Sequence, residues 1–165
     1  MDIRDARREE FGRIGELRVA AYRADGFLHE GYADTLRALA TDGTGEILAA
    51  VDDGDILGTV TLVTWPNGGE VLRRPGEGEI RALAVAAPAR GRGIGRALLD
   101  AVLRRATDRD VHDLLLLTQP EMRAAQHLYT EAGFRRLPER DHEFASGFLL
   151  IAFGLSLAGR HPGRH

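Results

Sequence analysis

The sequence predicts an α/β protein in which a mixed sheet is flanked by helices. Three observations predict it. The chain begins with a short strand-like segment followed by two helical periods; two strand-like runs then meet at an Asp-Gly turn; a strand-helix-strand unit comes next. With 165 residues, 44% of them hydrophobic and 28% charged, the chain has the size and composition of one compact globular domain, predicted over residues 1–157.

Each element follows from a local pattern. Residues 2–6 partly alternate, as an edge strand does. In "REEFGRIGELRVAAYRA", Phe11, Ile14, Leu17, Val19 and Ala21 recur near helical spacing, and "YADTLRALAT" repeats the pattern with Tyr32, Leu36 and Leu39. From Glu46 the period shortens: "EILAAV" and "ILGTVTLVT" flank "DDGD", the signature of a β-hairpin. After the Gly- and Pro-rich "WPNGGEVLRRPGEGE", the run "EIRALAV" at 79–85 places apolar side chains on both faces, as an interior strand does. Leu98, Leu99, Val102, Leu103 and Ala106 predict a helix over 94–108. "HDLLLLTQ" reads as a buried strand. "EMRAAQHLYTEAGF" is a helix, with Ala125, Leu128, Tyr129 and Ala132 on one face and Gly133 as its stop. "FRRLPER" and "GFLLIAFGLSL" supply two further strands, and the tail 158–165 is expected to be disordered.

Composition narrows the function. The chain has no cysteine, which removes disulfides, a thiolate nucleophile and cysteine-based zinc sites. A net charge of −3 argues against a broad nucleic-acid-binding face. No apolar run has the length of a membrane span, and "MDIRDARREEF" is too charged for a secretory signal, so a cytoplasmic location is expected. The pairs Arg104/Arg105 and Arg135/Arg136 read as solvated faces. The concentration of Arg90, Arg92 and Arg96 differs, because glycines alternate with it.

That stretch, "PARGRGIGRALL", stands at a predicted helix start. The first free N–H groups of a helix attract anions, and glycine lets the backbone approach a ligand closely. A phosphate seat is therefore the expectation, with a basic turn as the alternative. It is not a P-loop, since the chain contains no lysine. Nor is it a dinucleotide fingerprint, since Gly91, Gly93 and Gly95 give G-x-G-x-G deep in the chain.

The segment Arg90-Gly91-Arg92-Gly93-Ile94-Gly95 resembles the [Q/R]-x-x-G-x-[G/A] signature of the GCN5-related N-acetyltransferases. "EIRALAV", "LLLLT" and "AAQHLYTEAGF" match that family's order of elements, so the resemblance covers nearly the whole chain. It implies a mostly antiparallel sheet with a splayed central parallel pair, and acetyl-CoA as co-substrate without a metal. Leu83, Ala84 and Val85 would contact the acetyl-pantetheine arm through their backbone. Arg90, Gly91, Arg92, Gly93, Ile94, Gly95 and Arg96 would surround the pyrophosphate.

The resemblance also implies the chemistry. Tyr129 matches the family tyrosine that serves the departing sulfur as general acid; on its own it would read as a core tyrosine. A backbone N–H near Leu83 would stabilise the oxyanion. Glu79 stands where some members place a base, acting directly or through water; its other reading is a solvated strand-end carboxylate, and His142 is an alternative base. Met122 departs from the family, which often carries Asn there, so Gln119 or a water substitutes or the contact is lost. His127 is expected to face solvent. The acceptor is read as a primary amine on a small molecule or peptide. Asp25, Glu30, Asp141 and Glu143 suit its charge, and a homodimer is left open. Rival readings are a non-catalytic acyl-CoA-binding module and an enzyme using longer acyl groups.

Overall fold

The computed structural model describes residues 1–29, 31–143 and 147–160. Its elements are β1 (Asp2–Asp5), α1 (Phe11–Ala24), α2 (Tyr32–Thr41), β2 (Glu46–Asp52), β3 (Asp55–Thr64), β4 (Glu77–Val85) and α3 (Ile94–Asp108). They continue with β5 (Asp113–Thr118), α4 (Arg123–Glu131), β6 (Arg135–Arg136), β7 (His142–Glu143) and β8 (Leu149–Ser156). Hydrogen-bonded neighbours follow the order β1-β2-β3-β4-β5-β8-β6, with β7 also beside β8. The β4–β5 pair is parallel, while β1–β2, β2–β3, β5–β8, β6–β8 and β7–β8 are antiparallel.

The chain forms two compact units, Met1–Leu62 with Ala82–Arg104, and Val63–Arg81 with Arg105–His165. In the first, Asp53 (φ 47°) and Gly54 (φ 81°) turn the β2–β3 hairpin through left-handed backbone at both central positions, as a tight two-residue loop requires. Ile14, Ala40, Ile47, Ala49 and Val51 form an apolar core over which α1 and α2 pack. Arg18 lies wholly buried on the same helix and donates from Nη2 to Thr61 Oγ1 at 2.6 Å and Thr59 Oγ1 at 3.3 Å. Apolar periodicity gives no sign of this cation in the interior.

The first unit also seats α3. Leu98, Leu99 and Val102 are fully buried, as their spacing predicts. Gly58 on β3 permits the approach: a Cβ there would lie 2.9 Å from Leu98 Cδ1, 3.0 Å from the Ala84 carbonyl oxygen and 3.1 Å from Ile94 Cγ2. Gly58→Ala is therefore expected to destabilise the fold by about 1–3 kcal/mol, the usual range for overpacking, as read from the urea unfolding midpoint. An unchanged midpoint would contradict this packing.

In the second unit, Val71, Leu115 and Ala152 centre a smaller core. Three details depart from the sequence reading. "FRRLPER" yields a strand of only two residues, because Pro138 opens a 3-10 turn, Pro138–Arg140, in which it has no N–H to donate. The two-residue strand β7 has no counterpart in the predicted elements. Residues Ala158–Arg160 of the tail form a 3-10 turn, and the rest of the tail lies outside the described residues.

Candidate active site

The first unit carries the glycine loop. After β4 a 3-10 turn, Ala87–Ala89, leads to Gly91 (φ 80°) and Gly93 (φ 76°), and α3 begins at Ile94. Both glycines occupy left-handed backbone, which a side chain would strain. A Cβ on either would meet nothing within 4 Å, so the loop surface is open. The first helical amides have no partner inside the helix, and the Ala97 N–H reaches back to Gly93 O at 3.1 Å. Bare amides at the positive end of a helix dipole suit a pyrophosphate in shape and charge.

The arginines divide into different roles. Arg90, expected on the phosphate rim, pairs with Asp25 at the end of α1, and its guanidinium reaches Ala21 O at 3.4 Å and Val85 O at 3.4 Å. Arg92 and Arg96 are half-exposed and lie 3.4 Å from Asp52 and 3.6 Å from Asp100. Exposed pairs of this kind are weak.

On β4 the parallel register with β5 runs from Glu77↔Asp113 to Ile80↔Leu116 and ends there, although β4 continues to Val85. Leu83, Ala84 and Val85 thus belong to a stretch with no β5 partner in that register, and such a backbone edge can accept an extended chain. Ala82 just before them has φ 54°, a left-handed residue inside a strand. The covering of both faces expected across 79–85 is interrupted at this point, where Arg81, Ala82 and Leu83 are all half-buried in succession.

The second unit holds Tyr129 and Glu79. Tyr129 lies near the end of α4, 6% exposed, with its ring 5.8 Å from that of Phe134. Burial pushes its phenol well above the ordinary value, so it keeps its proton. Its hydroxyl has no hydrogen-bond partner among the described residues.

Glu79 is not the solvated strand-end carboxylate that was one of its two readings: it is 2% exposed and sits two residues inside β4. Its Oε1 accepts the N–H groups of Glu70 at 2.8 Å and Val71 at 2.9 Å, and its Oε2 lies 3.4 Å from Arg81 Nε. Burial raises its proton affinity, which the nearby Arg81 charge and the two amides only partly offset. A carboxyl in such surroundings holds a proton more readily than a solvated one.

Several candidates for the acceptor side are engaged elsewhere. Asp25 is held by Arg90. Asp141 accepts two parallel bonds from Arg136, at 2.8 and 3.0 Å, and one from Ala152 N, and these bonds hold its carboxyl below the usual range. Glu143 and His142 are exposed on β7, and Glu30 lies outside the described residues. His127 faces solvent, pairing with Glu131 at 3.0 Å. The sulfur of Met122 accepts a bond from Thr118 Oγ1 at 3.5 Å, and Gln126 Nε2 donates to the carbonyls of Gln119 and Pro120.

Comparison with known proteins decides the family. The model of the acetyltransferase (GNAT) family matches residues 3–134. The chain belongs to the GNAT family. This GNAT chain is 38% identical over 91 residues to the mycothiol acetyltransferase of Cellulomonas flavigena, covering 54% of this chain and 26% of that protein. It thus spans about a quarter of the length of that relative. Its fold is similar to that of a GNAT acetyltransferase from Staphylococcus aureus Mu50 (TM-score 0.73, 18% identity, 94% and 98% of the two chains). The Salmonella typhimurium yncA structure, solved with its cofactor acetyl-CoA, is also similar (TM-score 0.68, 20% identity, 95% and 94%). Among the described residues no group of His, Asp and Glu is placed to hold a metal, and no helix is long and apolar enough to cross a membrane.

Proposed function

We propose that this GNAT chain, as one domain over residues 1–157, transfers the acetyl group of acetyl-CoA to a primary amine in a single ternary complex. The observation that carries the reading is the glycine loop, with Gly91 and Gly93 in left-handed backbone directly before the long helix α3. The loop amides with Arg92 and Arg96 would hold the pyrophosphate, and the β4 edge at Leu83, Ala84 and Val85 would align the pantetheine arm. Acetyl-CoA supplies the activated acyl group.

The residues of the chain perform the rest. An amine attacks only when its lone pair is free, and Glu79, raised in proton affinity by burial, receives the proton at Oε2, directly or through water. A backbone N–H near Leu83 stabilises the oxyanion. Tyr129 offers its hydroxyl proton to the departing sulfur, which a hydroxyl with no competing partner is free to do. With no cysteine in the chain to carry the acyl group, direct attack is the simplest route. The name of the relatives makes an acceptor of the mycothiol type one member of the panel to be tried.

Calorimetry with acetyl-CoA and a mass-spectrometric screen of primary amines test this reading. Binding with an acetylated product is the expected result. Binding without product from any amine would favour a sensor module, and the absence of both would sink the proposal.

A further inference from the structure

Glu79 has one oxygen fixed and one oxygen poised. Oε1 is taken by the amides of Glu70 and Val71, and Gly69 presses so close that a Cβ there would lie 2.7 Å from it. Oε2 faces the guanidinium of Arg81, whose Nε is 3.4 Å away. The same guanidinium extends Nη2 to Glu70 Oε1 at 2.9 Å. A single cation is therefore shared between a carboxylate that is 2% exposed and another that is 28% exposed.

Among the described residues the remaining surroundings do not supply a second cation. The β5 residue in register with Glu79 is Leu115, and the loop beside it continues as Val71 and Leu72. Glu77, two residues earlier on the same face of β4, is neutralised by Arg140 (2.5 Å) and approached by Arg74 (3.5 Å). Among the described residues, Arg81 and Glu70 are the charged groups that face the Glu79 carboxylate.

We propose that Arg81 and Glu70 are positioning residues that set the proton affinity of Glu79 in opposite directions. Arg81 favours its ionised form, and Glu70 opposes it by its own charge and by holding the guanidinium. The signs agree with the local electrostatics, in which the Arg81 charge lowers and the Glu70 charge raises the affinity left by burial. The catalytic consequence rests on the reading of Glu79 as the base.

The test uses the full chain, isotope-labelled at the glutamate carboxyl carbon and followed by NMR over pH, with the Glu79 signal identified by its loss in Glu79→Gln. Arg81→Met is expected to move the Glu79 midpoint up by about one pH unit or more, and Glu70→Gln to move it down. The acid limb of kcat, measured with the panel amine of fastest turnover, should move with the midpoint in each variant. A midpoint that does not shift in opposite directions overturns the inference. Midpoints that move while the acid limb stays put, in these variants and in Glu79→Gln, overturn the base and leave the inference standing. Should Arg81→Met fail to melt cooperatively, the half-exposed Glu70→Gln decides alone, since its midpoint must fall.

Discussion

Tyr129→Phe is expected to lower kcat about a hundredfold or more, the range of a lost general acid, while leaving the Kd for acetyl-CoA and the melting temperature close to those of the parent. The asymmetry comes from the surroundings of the ring. Its packing against Phe134 survives the substitution, and among the described residues the hydroxyl has no partner to leave orphaned. A tyrosine that merely filled the core would show the reverse, with a shift in stability and no loss of turnover. Single-turnover acetyl transfer alongside calorimetry separates the two, and unchanged turnover would remove the role assigned to Tyr129.

The second large effect concerns stability. Arg140 is 8% exposed; it donates to Val71 O at 2.9 Å and to both oxygens of Glu77, at 3.2 and 2.5 Å, while Arg73 N bonds Glu77 Oε1 at 2.8 Å. Burial pushes the Glu77 carboxyl up, but the Arg140 hydrogen bonds, the amides of Arg73 and Arg74 and the Arg140 charge together hold it below the ordinary value. Arg140→Met leaves that carboxylate buried with only the largely exposed Arg74, 3.5 Å away, as a cation beside it, at an expected loss of about 3–5 kcal/mol near neutral pH. The sign depends on pH. In the parent, the depressed Glu77 contributes stability above its unfolded pKa, and this is lost as pH falls through the folded value. In the variant burial wins, the carboxyl rises above its unfolded value, and the variant recovers stability on acidification. The gap between the two melting temperatures should therefore close from pH 7 toward pH 4. A gap that does not depend on pH would point to lost packing alone.

These two residues show which parts of the molecule can be read from the chain. The bounds of α3, Ile94–Asp108, follow from five apolar side chains at helical spacing, and the hairpin turn from Asp53 and Gly54, because short-range periodicity and turn chemistry are local in sequence. The loop glycines and Tyr129 stand out in the sequence as candidates because a family motif is a contiguous pattern. Arg140 and Glu77 are 63 residues apart, and Arg90 and Asp25 are 65 apart. No local pattern tells which of many acidic residues each arginine will meet, so the pairing of Arg90 with Asp25 cannot be read from the chain. The burial of Glu79 is hidden for the same reason, since it depends on a loop folding back to deliver two amides. The left-handed backbone at Ala82 escapes any propensity argument, because alanine rarely adopts it and tertiary context must impose it.

The cation beside Glu79 has one more property, which comes from its identity. An enzyme that forms amides from amines places its own side chains at risk, since a lysine next to a base would lose a proton and become an acceptor. Arginine keeps its charge at any pH at which proteins work, and its delocalised nitrogens offer no free lone pair to a thioester. With no lysine anywhere in the chain, every side-chain cation is chemically inert toward the acyl donor, apart from the histidines. Arg81 can thus stand 3.4 Å from the proposed base and tune it without becoming a substrate.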